Sequence, residues 1–187
     1  RIEVVSGNAV NGVINVTTKS AKDTQGFYGE AGGGNQLREF AGMRYGGKLA
    51  PNVSFRVYGK YFDRDSDVLA SGAAAADGSS LTQEGFRLDA ETPAKGAVTV
   101  QGDYYHGWEG LPGAGDAKLA GGNLLTRLSQ ELANGSDVRL QLYYDRTYLR
   151  QPFAAGAFGA AGYFTENLDT YDLDFQHSIK HEENRTL

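Results

Sequence analysis

The sequence predicts an all-β fold, an antiparallel up-and-down meander of barrel type, and three observations predict it. The chain holds 26 Gly, 11 Tyr and 9 Phe against one Trp and one Met. Gly disfavours helices, and Tyr and Phe suit strands. From Gly26 onward, apolar and polar residues alternate with period two, the signature of strands with two unlike faces. After a short first connection at Asn35–Leu37, tight turns and long loops alternate along the chain, so that one end of a meander carries turns and the other carries mostly long loops.

The alternation predicts eight strands, near 26–34, 38–48, 53–64, 84–92, 97–107, 121–132, 137–149 and 168–179. In "VSFRVYGKYF", Val53, Phe55, Val57, Gly59 and Tyr61 share one face, and Ser54, Arg56, Tyr58, Lys60 and Phe62 share the other. "AVTVQGDYYH" sets Val98, Val100, Gly102 and Tyr104 against Thr99, Gln101, Asp103 and Tyr105. "DVRLQLYYDR" sets Val138, Leu140, Leu142 and Tyr144 against Arg139, Gln141, Tyr143 and Asp145. Phe86–Glu91 and Thr170–His177 repeat the scheme. "LAPN", "TPAKG" and "ANGS" are the short turns. Asp65–Gln83, Trp108–Ala120 and Arg150–Asn167 are the long connections.

Short turns at one end and long loops at the other are the asymmetry of outer-membrane barrels. The pairs Tyr61-Phe62, Tyr104-Tyr105 and Tyr143-Tyr144 each stand where a strand enters a long loop, as an interfacial aromatic girdle would. On this reading Val57, Val100, Leu140 and Leu142 face lipid, and Arg56, Gln101, Arg139 and Asp145 face the lumen. A soluble β-sandwich would also alternate, with its apolar face in the core. The aromatic loop residues Trp108, Phe153, Phe158, Tyr163 and Phe164 are the candidate ligand contacts. Their alternative role is loop-on-loop packing or an extension of the girdle.

Other chemistry is not supported. The net charge of −5 has no basic block suited to nucleic acid, and cysteine is absent. No apolar run is long enough for a transmembrane helix, and no signal peptide opens the sequence. Asp63, Asp65 and Asp67 match the start of a calcium loop, but Val68 and Ala74 stand where Gly and Glu are needed. His106, His177 and His181 lack ligand spacing, "GLPGAG" is no phosphate loop, and no Ser has a triad's partners at recognisable spacing. No catalysis, bound metal or cofactor is therefore expected.

The first residues point further. "RIEVVSG" and "NAVNGVINVTTK" carry Arg1, Ile2, Glu3, Val4, Val5 and Gly7, then Asn8, Ala9, Val10, Gly12, Val13, Ile14, Asn15, Val16, Thr18 and Lys19. This stretch resembles the end of the plug domain of TonB-dependent outer-membrane receptors. The resemblance implies that residues 1–20 close a plug and that 21–187 form about the first eight strands of a plugged barrel of about 22. It implies a receptor in the outer membrane of a Gram-negative bacterium. Such a receptor takes up a scarce nutrient, such as a metal chelate (a siderophore) or a vitamin, powered through TonB. Its partners would be outer-membrane lipid, TonB and the nutrient. The sequence departs from the family in two places. Ser6 replaces a common Arg, and Gly7 runs directly into Asn8, where the family has a further loop. An interrupted chain is expected at that junction, with Ile2–Val5 and Val13–Thr17 paired as sheet inside the barrel. The alternative is a small closed barrel of eight strands acting as an anchor or adhesin.

Overall fold

A computed structural model describes residues 18–156 and 159–179. It is a single antiparallel sheet of eight strands in sequence order. They are β1 (Gly26–Gly32), β2 (Leu37–Ala50), β3 (Val53–Arg64), β4 (Ser79–Thr92), β5 (Gly96–Leu111), β6 (Gly115–Glu131), β7 (Asp137–Phe153) and β8 (Gly162–Ser178). The one other element among the described residues is a 3-10 turn, Lys22–Thr24, just before β1. Among the described residues the sheet is open: β1 pairs only with β2, and β8 only with β7. The expected pairing of Ile2–Val5 with Val13–Thr17 and the Gly7–Asn8 junction lie outside the described residues.

All eight strands occur where the alternation placed them, but five of their ends differ by four residues or more. β4 starts at Ser79, β5 runs on to Leu111, β6 starts at Gly115, β7 runs on to Phe153, and β8 starts at Gly162. The expected loop Trp108–Ala120 is thereby a hairpin closed by 112–114. The reason is composition. Gly107, Gly110, Ala117 and Ala120 continue the ladder, with Gly107 opposite Leu119 and Glu109 opposite Ala117. They carry too little side chain to show an apolar–polar alternation. Gly113 and Gly115 turn the chain at φ +77° and +105°, a region that L side chains avoid. The end bearing 33–36, 65–78, 112–114 and 154–161 is here called distal. The tight turns 51–52, 93–95 and 132–136 form the proximal end.

Register separates most of the chemistry, with Glu84 beside Tyr104 and the distal Lys118, Arg146 and Arg150 as charged exceptions on the apolar face. One row across the sheet runs Phe27, Tyr45, Val57, Phe86, Gly102, Leu124, Tyr144, Tyr171. The proximal neighbours on this face include Phe55, Leu88, Val100, Leu142 and Leu173. The opposite face carries Arg44, Arg56, Arg87, Gln101, Asp103, Arg127, Arg139, Gln141 and Asp145. Val57, Val100, Leu140 and Leu142 thus lie on one face, and Arg56, Gln101, Arg139 and Asp145 on the other, as the alternation requires.

Among the described residues, nothing covers the apolar face. Phe27 is 75% exposed, Tyr171 76% and Leu142 47%, and the buried apolar side chains of the described residues are Ala21 and Ala117. The sheet therefore has no hydrophobic core of its own. On β3 the apolar stretch of this face runs from Val53 to Tyr61, nine residues. That matches the roughly 9–11 residues with which a tilted strand crosses a bilayer.

The expected aromatic level is inclined to the hydrogen-bonded rows. Measured from the row through Val57, Gly102 and Tyr144, Tyr61 lies four residues distal on β3 and Tyr104 two residues distal on β5, while Tyr144 lies on the row. The level drops one residue per strand. With a rise of about 3.3 Å per residue and a strand spacing of about 4.8 Å, the line is inclined by about 35°. The arginines of the other face drop in the same sense. Arg44 is one residue distal of the row, Arg56 and Arg87 one proximal, Arg127 three and Arg139 five. Strands in closed barrels tilt by about 35–45°, so side chains at one height step across the rows at such an angle.

Candidate functional site

The polar face holds two linked features, a docked segment and an arginine ladder. Residues 18–24 lie across β3 and β4. Asp89 organises the contact: its carboxylate accepts from the Ala21 backbone N–H at 2.7 Å, the Thr99 hydroxyl at 2.7 Å, and Arg87 Nε and Nη2 at 2.8 and 3.0 Å. The fork of Arg87 matches the carboxylate bidentately, the strongest form of this pair. Arg87 Nη1 also donates to Thr18 Oγ1 at 2.9 Å and to Gln101 Oε1 at 3.2 Å. Arg56 Nη1 donates to the Lys19 carbonyl at 3.0 Å. At the proximal edge Lys22 Nζ donates to Glu91 Oε1 at 2.9 Å. That hydrogen bond, with the charge of Glu91, raises the Lys22 pKa above its ordinary value.

The turn is seated closely. Ala21 is wholly buried and Thr24 nearly so. Gly46 on β2 makes this possible, because a β-carbon there would run into the Thr24 carbonyl oxygen and the Gln25 Cα. Gly46→Val is expected to expel the turn and leave β2–β3 pairing intact. Hydrogen exchange would then show lost protection at the Ala21 amide with unchanged protection at Val57.

The arginines of the ladder are oriented largely by neutral partners. Arg127 donates to Gln141 Oε1 through Nε at 2.9 Å and Nη2 at 2.6 Å, and Arg139 donates to Gln176 Oε1 at 2.5 Å. Amide acceptors fix a guanidinium without cancelling its charge. Arg87 with Asp89 is the one arginine–carboxylate pair of the ladder among the described residues. Beside it, the Tyr58 hydroxyl donates to Asp103 Oδ1 and accepts from Gln83 Nε2 at 3.0 Å. A cavity of about 500 Å³ opens between the docked segment and Arg44, Arg56, Tyr58, Gln83 and Asp103. This arrangement can hold a polar, hydrogen-bonding chain segment or an anionic solute.

No family model, curated protein or solved structure matches the chain. The site must therefore be read from its own chemistry.

The aromatic residues singled out from the sequence are not gathered into one cluster. Trp108 is on β5 rather than in a loop, because the hairpin continues past it. Phe153 ends β7, and Tyr163 and Phe164 open β8, again on strands rather than in a loop. Phe158 lies outside the described residues. Register puts Trp108 and Tyr163 on the apolar face and Phe164 on the polar face. The polar-face residues Arg87, Asp89 and Gly46 were not legible as a site. Asp89 reads in sequence as an ordinary polar position of an alternating strand, and its partner Ala21 is 68 residues away.

Proposed function

We propose that this chain is the junction between plug and barrel in a TonB-dependent outer-membrane receptor, a gated transporter for a scarce nutrient such as a metal chelate or vitamin. One observation carries the reading. A band of one face, Val53 to Tyr61 on β3 and the residues beside it across the sheet, is largely apolar and, among the described residues, uncovered, while the opposite face is polar and holds the chain segment that precedes the first strand. An exposed apolar surface of this extent needs a cover, and lipid supplies one without a second protein layer. The 35° incline of the aromatic and arginine levels agrees with strands tilted in a barrel wall.

Closure favours a large barrel over the eight-stranded anchor. An eight-stranded barrel would pair β1 with β8, and the sheet has no such ladder. In hydrocarbon both free edges require partners, since unpaired backbone groups there cost several kcal/mol each. The docked segment supports a filled lumen, with Arg56, Arg87 and Asp89 as its seat. Ligand capture then falls to the distal hairpins. Phe153 stands nine residues beyond Tyr144, about 30 Å farther along the strand.

The test is made on the full-length protein in cells. It should fractionate with the outer membrane, migrate faster on gels before boiling than after, and support growth on a limiting iron chelate or cobalamin only when TonB is present. Recovery in the soluble fraction would refute the membrane reading. Outer-membrane recovery with TonB-independent growth on every such nutrient would refute the transport reading alone.

A further inference from the structure

We propose that the polar cavity between the docked segment and strands β2–β5 is a binding site for a doubly charged oxyanion of the sulfate or phosphate class, free or carried on a larger solute. The site belongs to the polar face and stands apart from the membrane reading.

The wall of the cavity concentrates positive charge. Arg56 and Arg87 stand directly opposite each other in the β3–β4 register. Arg44 is the diagonal neighbour of Arg56 across β2–β3, since Arg56 opposes Gly46 and Arg44 opposes Tyr58. Like charges set this close repel. Asp89 relieves Arg87 alone. Arg87 spends Nε and Nη2 on that carboxylate, and Nη1 on Thr18 and Gln101. Arg44 and Arg56 take part in no ion pair among the described residues.

Both of these arginines keep unused donors. Arg56 makes its two hydrogen bonds through Nη1, to the Lys19 carbonyl at 3.0 Å and the Thr24 hydroxyl at 3.4 Å. Its Nε and Nη2 have no partner among the described residues. Arg44 Nε is buried and without an acceptor. The Arg44 guanidinium rests 5.3 Å from the Tyr28 ring centroid, a contact that orients it and keeps its charge. Leaving a buried charged donor unmet is costly, and an oxyanion supplies acceptors that a guanidinium fork fits bidentately.

Charge sets the valence. Lys19, Arg44 and Arg56 line the cavity against a single carboxylate, Asp103. The Tyr58 hydroxyl donates to Asp103 and accepts from Gln83. Glu30 on β1 lies over Gly42 instead and accepts from the Tyr28 hydroxyl at 2.9 Å. Three cations against one acid leave two positive charges, which a dianion balances and a monoanion does not. At about 500 Å³ the cavity has room for such an ion with water, or for the charged end of a larger solute. Lys19 comes from the docked segment and the two arginines from the wall, so the bound ion ties one to the other.

The test is equilibrium dialysis of the purified full-length protein against radiolabelled sulfate at a fixed chloride concentration. A saturable site should appear, emptied by phosphate and only weakly by nitrate. Arg44→Gln or Arg56→Gln should weaken it about tenfold, the loss of one charge-assisted contact. Lys48→Gln, which removes a cation of the same face outside the cavity, should change nothing. Both arginine variants relieve repulsion and should melt no earlier than the parent by circular dichroism. Glucose 1-phosphate competing better than inorganic phosphate would assign the site to a carried group, and weaker competition would assign it to the free ion. Absence of saturable sulfate binding, as follows if a carboxylate from elsewhere in the chain fills the cavity, would overturn the proposal. Nitrate competing as well as phosphate would overturn it too, as would binding that survives loss of both arginines. None of these results alters fractionation with the outer membrane, so failure here leaves the membrane reading standing.

Discussion

Leu142→Arg is expected to destabilise the protein in a bilayer by about 2–4 kcal/mol, the cost of a cation on the lipid face near mid-membrane. Leu142 sits in the middle of the apolar band, between Thr126 and Leu173. The size of the effect discriminates environments. In water, a residue already 47% exposed would accept a charge with a change of about half a kcal/mol or less. Thr170→Arg on the polar face, opposite Asp145, supplies the matched control and should be nearly neutral. Urea unfolding of both variants in lipid vesicles measures the difference. Equal stability of the two would mean that the apolar face does not meet lipid.

Asp89→Ala is expected to release residues 18–24 and cost about 2–4 kcal/mol. The substitution removes the acceptor for the Ala21 amide, the Thr99 hydroxyl and both donors of Arg87. Arg87, only 14% exposed, would be left without its counter-charge, and stranding one partner of a buried pair is costlier than never having formed it. The chain has no cysteine, so a single probe can be introduced cleanly. Ala21→Cys should resist maleimide in the parent, where Ala21 is wholly buried, and react readily when Asp89→Ala is added. Unchanged protection would show that Arg56 and the Gly46 seat hold the turn without Asp89. If the receptor reading is right, the same variant should also loosen gating and admit solutes too large for the closed transporter.

The strands were legible because a two-faced strand writes its environment into every second residue. Val53–Phe62 and Val138–Asp145 show both faces in a single pass of the sequence. Legibility stopped where side chains became small. Gly107, Gly110, Ala117 and Ala120 pair as well as any residues in the sheet, since backbone hydrogen bonds need no side chain. They leave no alternation to read, and Trp108 was therefore assigned to a loop that is in fact strand.

The site divides along the same line. Local order determined which residues are polar, which are apolar and on which face each stands, because period two is a property of the chain itself. The seat for residues 18–24 is a property of the packed sheet. It needs Gly46, Arg56, Arg87 and Asp89 from three strands to meet a turn that lies before β1. The opposition of Arg56 and Arg87 is likewise a matter of register between β3 and β4. The inclined levels of the aromatics and the arginines arise in the same way. Each strand contributes one or two residues to a level, and only hydrogen-bonded pairing across the sheet sets one strand's residues beside the next.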